Sequence, residues 1–187
     1  MSEITMQNLF GTEITKLLDD HKCAISSPTI KEIKANFPTL YPYFKGNSKN
    51  TNTDGDGIVD FIYYNKLTNL LIIVEIKEKT TVHNKAIDDI KHYLEPFSFD
   101  KNPLKIIAIA FSGNIKYKDK HKIDTFTIRN NKIINLQTVE LLTEKSYLNI
   151  FKTQKTREYQ VLLSAVAKKM NNDLLREISS EKRPVLL

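Results

Sequence analysis

The chain is short of several residue types, and each shortage excludes something. It has one cysteine, Cys23, in 187 residues, so no internal disulfide can form and a reducing, cytoplasmic compartment is expected. Five glycines are too few and too scattered to write a P-loop or a dinucleotide fingerprint, and no Asn/Asp-Pro-Pro-aromatic tetrapeptide occurs. By itself the chain is therefore neither an ATPase nor an adenine methyltransferase. No apolar run approaches the roughly 20 residues of a membrane span, so no membrane partner is expected. His83 and His92 lack a Cys or His at metal-ligand spacing, and His83 is expected to be solvated.

What is present describes an ordinary globular protein. With 41% hydrophobic and 27% charged residues, the chain can bury a sizeable core, and its length suits one full domain with an appended helical segment. The net charge of +6 is unevenly spread: residues 1–97 carry 11 Lys/Arg against 13 Asp/Glu, and residues 98–187 carry 17 against 9. A basic C-terminal half attracts polyanions, nucleic acid above all. A locally acidic half raises the question of which cation it holds.

Hydrophobic periodicity predicts a helix from Glu3 to about Asp20, interrupted at Gly11. Ser27-Pro28 predicts the start of a short helix through Asn36, ended by Phe37-Pro38. Gly46 to Gly57 has no apolar residue and reads as a loop. Ile58–Tyr64 and Leu70–Lys77 flank the turn Asn65–Asn69 as a hairpin, and the second strand, apolar on both faces, belongs at the centre of its sheet. Asn84–Phe97 is helical with Pro96 marking its end, and it leads to a buried strand, Leu104–Phe111, parallel to the one before. Ile123–Arg129 and Lys132–Leu136 predict a more exposed hairpin, and Val139–Phe151 and Thr156–Ile178 predict two helices. The fold class is α/β, a central mixed β-sheet flanked by helices. A core domain at 1–136 carries a helical extension at 137–187.

Asp60, Glu75 and Lys77 carry the chemistry. Residues two apart in a strand share a face, so Glu75 and Lys77 project together from a strand otherwise made of Leu, Ile and Val. A carboxylate and an ammonium there need a partner or a cation. Hairpin pairing brings Asp60 beside Glu75, and two carboxylates meeting at a sheet end repel unless a metal joins them. Hard oxygen ligands, with the main-chain carbonyl of Ile76 as a third, favour Mg²⁺, for which Mn²⁺ substitutes. The bland alternative is a half-buried Glu75–Lys77 ion pair with Asp60 capping a loop.

Asp60 followed by Glu75-Ile76-Lys77, on a hairpin strand and an apolar strand before an amphipathic helix, resembles the PD-(D/E)xK nuclease signature. Residues 3–111 can be laid on that restriction-endonuclease-like core. More narrowly, Gly57-Ile58-Val59-Asp60-Phe61, then Ile73 to Lys77, then Ala86 to Tyr93, resembles the nuclease domain of type I restriction-enzyme R subunits and of fused restriction-modification proteins. Val59 stands where the signature has proline. Where relatives carry Gln-x-x-x-Tyr this chain reads Asp89-Ile90-Lys91-His92-Tyr93, so Tyr93 carries over as a DNA contact and the glutamine does not. The resemblance also implies a first-helix glutamate at the metal, for which Glu13 is the candidate. It implies a Mg²⁺-dependent DNA endonuclease in which Asp60 and Glu75 hold metal and Lys77 orients water and stabilises developing charge. A non-catalytic nucleic-acid-binding or interaction domain that retains the fold is the alternative.

Three further features bear on partners. Asn52 to Asp60 resembles the opening of an EF-hand calcium loop, but Tyr63 stands where a bidentate acid is required and the flank reads as strand. Lys116, Lys118, Lys120 and Lys122, interleaved with Tyr117, suit a phosphate backbone, although an exposed run of lysines is equally a solvated face. Leu174 to Leu187 stops within an apolar run and resembles the lead-in to the N6-adenine methyltransferase domain of fused restriction-modification proteins. The expectation is a piece of a longer protein whose methyltransferase or specificity domains are linked or associated, the alternative being a natural terminus docked on the core; the sequence leaves open whether two copies must associate to cut both strands.

Overall fold

The computed structural model describes residues 3–47, 58–99, 104–117, 120–138 and 140–181. They form a mixed α/β structure around a six-stranded sheet: β1 (Ala24–Ser26), β2 (Phe61–Asn65), β3 (Leu70–Lys77), β4 (Lys105–Gly113), β5 (His121–Arg129) and β6 (Lys132–Asn135), in that spatial order. Only β3 and β4 run parallel; the other neighbours are antiparallel. The parallel pair requires a crossover, and α4 (His83–Ser98) supplies it.

The sheet is covered on both faces because β3 and β4 are apolar on both. Leu71 and Ile73 of β3 and Ala108 and Ala110 of β4 share a buried cluster with Ala86, Ile90 and Leu94 of α4, together with Ile33 of α2 (Ile30–Asn36) and Phe44 of α3 (Tyr41–Phe44). Ile76 and Phe111 are register partners and, by strand alternation, lie on the other face. There the Phe10 ring of α1 (Glu3–Thr15) meets Phe111 at 4.7 Å.

Several local outcomes differ from the sequence reading. Helix α1 runs through Gly11 without interruption. A Cβ at Gly11 would fall 2.2 Å from Ser26 Oγ, so the glycine serves the close approach of α1 to β1 and does not break the helix. Helix α2 starts at Thr29, not Ser27, because Thr29 and Glu32 form a reciprocal capping box. β1 and α3, which no strong pattern marks, are additional elements. The hairpin β5–β6 is more exposed than β3 and β4, as expected, and it extends the sheet from β4.

The predicted helices at 139–151 and 156–178 form one helix, α5 (Glu144–Glu181). The first compact unit runs past residue 136 to Leu148, and the second is Asn149–Leu187. The reason is Glu144, whose carboxylate is fully buried and accepts from Tyr63 Oη, Asn65 Nδ2 (2.9 Å) and the Asp19 amide (3.0 Å). Tyr147 is also fully buried, and its Oη accepts from the Leu142 amide (3.2 Å). Thr68 Oγ1 is a fourth donor to Glu144 at 3.3 Å; Glu144→Gln keeps the shape but removes the charge that all four share, and should cost about 2 kcal/mol in urea unfolding. Among the described residues no helix is long and apolar enough to cross a membrane.

Candidate active site

Asp60 lies just before β2, where its own N–H donates to Val74 O (3.0 Å) and its carbonyl accepts from Ser27 N (2.7 Å). The β2–β3 ladder ends at Phe61 and Val74, and Asp60, one residue before it, lies near enough for its charge to act on Glu75. The Asp60 carboxylate accepts from the Ile76 amide at Oδ2 (2.7 Å) and from Gln7 Nε2 at Oδ1 (2.7 Å).

Glu75 is 6% exposed. Its Oε1 accepts from Lys77 Nζ at 2.6 Å. Its Oε2 is buried and has no hydrogen-bond partner among the described residues. A carboxylate oxygen left this way is costly unless the group protonates or a cation binds. Burial and the Asp60 charge push the Glu75 carboxyl up to about 8, against the opposing pull of Lys77.

Lys77 also meets Asp89 Oδ2 of α4 at 3.0 Å. Burial alone would lower its ammonium pKa, but the hydrogen bonds and charges of Glu75 and then Asp89 raise it above the usual lysine range. Lys77 is therefore a fixed cation and not a general base. Asp89, the residue standing where the resembled motif carries glutamine, holds it from the helix side.

Among the described residues no group of three or more His, Cys, Asp or Glu side chains that could hold a metal converges; the residues that could hold a hard divalent cation here are Asp60 and Glu75, the latter with an unpartnered oxygen. Mg²⁺ characteristically takes one or two carboxylates and fills its remaining positions with water and phosphate oxygens. Val74 O and Ile76 N both face the β2 side of β3, and a strand residue sends its N–H and C=O to the same side. The Ile76 carbonyl thus lies on the β2 side of β3 as well.

Other expected site residues are placed differently. Glu13 is half-exposed and pairs with Lys16 at 2.8 Å; six positions along α1 from Gln7, it points well round the helix from Asp60. The α1 residue that reaches Asp60 is Gln7. Tyr93 is 5% exposed and packs into the core cluster, where burial raises its phenol pKa, so it supports the site from beneath and offers no surface to DNA. His83 is buried and not solvated: Nδ1 meets Ser112 Oγ at 2.7 Å and Nε2 meets Asp124 Oδ2 at 2.8 Å. That ties the start of α4 to β4 and β5. Ser112 is fully buried, so this Ser–His–Asp grouping presents no accessible nucleophile.

Lys116, Lys120 and Lys122 are exposed, and Lys120 lies 5.0 Å over the Tyr117 ring. Lys122 pairs in register with Ser112, which pairs with Lys77, so Lys122 shares the face of Lys77 about 10 Å away across two strand spacings. Lys118 and the calcium-like loop, with Asp54 and Asp56, lie outside the described residues. No protein-family model matches the chain, and neither a curated protein nor a solved structure is significantly similar to it.

Proposed function

We propose that the chain is a metal-dependent DNA endonuclease that hydrolyses phosphodiesters as the nuclease domain of a restriction-modification enzyme. The observation that carries this reading is the meeting of Asp60, Glu75 and Lys77 at one sheet end, with Glu75 Oε2 buried and unpartnered. The resemblance of the Asp60 and Glu75-Ile76-Lys77 pattern to PD-(D/E)xK nucleases supplies the reaction class and the restriction-endonuclease-like fold name.

In this reading Asp60, Glu75 and the Ile76 carbonyl hold Mg²⁺, or Mn²⁺ in its place. When bound, such an ion acidifies water and offsets phosphate charge. Lys77, kept protonated by Glu75 and Asp89, donates to a phosphate oxygen or to the attacking water as negative charge develops. Lys116, Lys120 and Lys122 hold the DNA backbone without reading sequence. Specificity then belongs to linked or associated methyltransferase or specificity domains, and cutting both strands to a pair of such domains.

A second reading, a non-catalytic nucleic-acid-binding domain, is favoured by one observation: Lys77 is already engaged by two carboxylates. Supercoiled plasmid separates the two. The nuclease reading expects nicking with Mg²⁺ or Mn²⁺ that stops with EDTA and in Asp60→Asn. Plasmid binding without nicking under any divalent metal would establish the second.

A further inference from the structure

We propose that Gln7, braced by Ser27, is a positioning residue that fixes the Asp60 carboxylate for a divalent cation. The inference rests on the nuclease reading of the site and adds to it a residue outside the resembled motif.

Three contacts close a ring. Gln7 Nε2 donates to Asp60 Oδ1 (2.7 Å), Ser27 Oγ donates to Gln7 Oε1 (3.1 Å), and Ser27 N donates to Asp60 O (2.7 Å). The Ser27 hydroxyl occupies the amide oxygen, which leaves the amide N–H₂ facing the carboxylate; the flipped amide would set two acceptors against each other. The Ile76 amide on Oδ2 and the Gln7 amide on Oδ1 are both neutral N–H donors, and one on each oxygen fixes the orientation of the carboxylate.

The chemistry of the bracing residue matters. A lysine at Gln7 would neutralise Asp60 and compete with a cation for it. A glutamate would add a third negative charge beside Asp60 and Glu75. An amide orients Asp60 without itself neutralising the charge.

Ser27 shows that the ring is held against a local cost. Its φ is +46°, the left-handed region that non-glycine residues avoid. Such a conformation persists where surrounding contacts over-determine it, typically at functional sites. Here those contacts are the two hydrogen bonds that reach Asp60 and Gln7.

The test is Mn²⁺ titration of the full chain without DNA, followed by the electron paramagnetic resonance of free Mn²⁺, alongside thermal melting without metal. Gln7→Met keeps the length of the side chain but not the donor, and should weaken Mn²⁺ binding roughly tenfold. Ser27→Gly relieves the positive φ while deleting the hydroxyl, so it should melt no lower than the parent and still bind Mn²⁺ more weakly. A purely structural role cannot separate those two readouts. If Gln7→Met fails to fold, Ser27→Gly decides alone. Parent-like Mn²⁺ affinity in the folded variants, or affinity that only tracks melting temperature, overturns the proposal while Glu75-dependent binding by the parent leaves the nuclease reading standing. Parent Mn²⁺ binding that is absent, or unaffected by Glu75→Ala, overturns both.

Discussion

Lys77→Met is expected to lower plasmid cleavage by about 10³-fold while leaving DNA affinity nearly unchanged. Removing one group that stabilises developing charge in an enzyme site costs about 10²–10³-fold in rate, and Lys77 also fixes the side chain of Glu75 (2.6 Å). Affinity survives because Lys116, Lys120 and Lys122 are exposed and independent of this ion pair. Methionine is a better probe than alanine, since the lysine is only 15% exposed and its stem packs against the site. Truncation to alanine would remove that packing as well as the pairs with Glu75 and Asp89. Without the ammonium Glu75 takes up a proton more readily, so the comparison should be made with saturating Mn²⁺ at a pH above the Glu75 value. Near-parental cleavage under those conditions would sink the assignment of Lys77, and a proportional loss of DNA binding would reassign it to substrate affinity.

The difference between the two substitutions follows from what a sequence can and cannot show. The run Leu70 to Lys77 has the same limits in the structure as in the sequence, because eight residues apolar on both faces admit one reading, a central strand. The hairpin register and the parallel β4 follow from the Asn65–Asn69 turn and the length of α4. The nearness of Asp60 to Glu75 is therefore legible, and so is Lys77 on the face of Glu75.

The partners of those residues were not. Asp89 reaches Lys77 only because α4 crosses over the end of β3, which no local pattern records. Glu144 joins the first compact unit through Tyr63 and Asn65, residues far away in the chain, a contact that no local pattern records. Glu13 is the carboxylate on α1 that the resemblance implies, yet Gln7, partly buried, is the residue on the helix face of Phe10 and Ile14. A polar side chain on an otherwise apolar stripe was the signal that could have found it. The one-helix course of α5 has a similar cause: Lys152 to Lys155 is polar but contains no helix breaker.

Without metal, the protein is expected to lose stability as pH rises from about 4.5 to about 8, and Mg²⁺ should restore it increasingly over the same range. Glu75 titrates near 4.5 when unfolded and is pushed up to about 8 by burial and by Asp60 in the fold. Below about 4.5 both states hold the proton and Glu75 imposes no penalty. Between the two values the folded state binds more protons than the unfolded one, so the slope of unfolding free energy against pH is negative. Above about 8 the folded protein carries a buried carboxylate with one unpartnered oxygen, and the accumulated loss is on the order of a few kcal/mol. A cation binds the deprotonated form, so below about 8 it must displace the proton and its stabilising effect is smaller. Melting curves with and without Mg²⁺ at pH 6, 7 and 8 (about one unit apart across the upper part of this window) should therefore diverge as pH rises. Glu75→Gln removes the titrating group, so its melting temperature should stay level across the window and respond little to Mg²⁺. If Ca²⁺ stabilises more than Mg²⁺ and the effect survives Glu75→Gln but vanishes in Asp54→Ala, the polar loop before β2 holds the cation and the carboxylate pair does not.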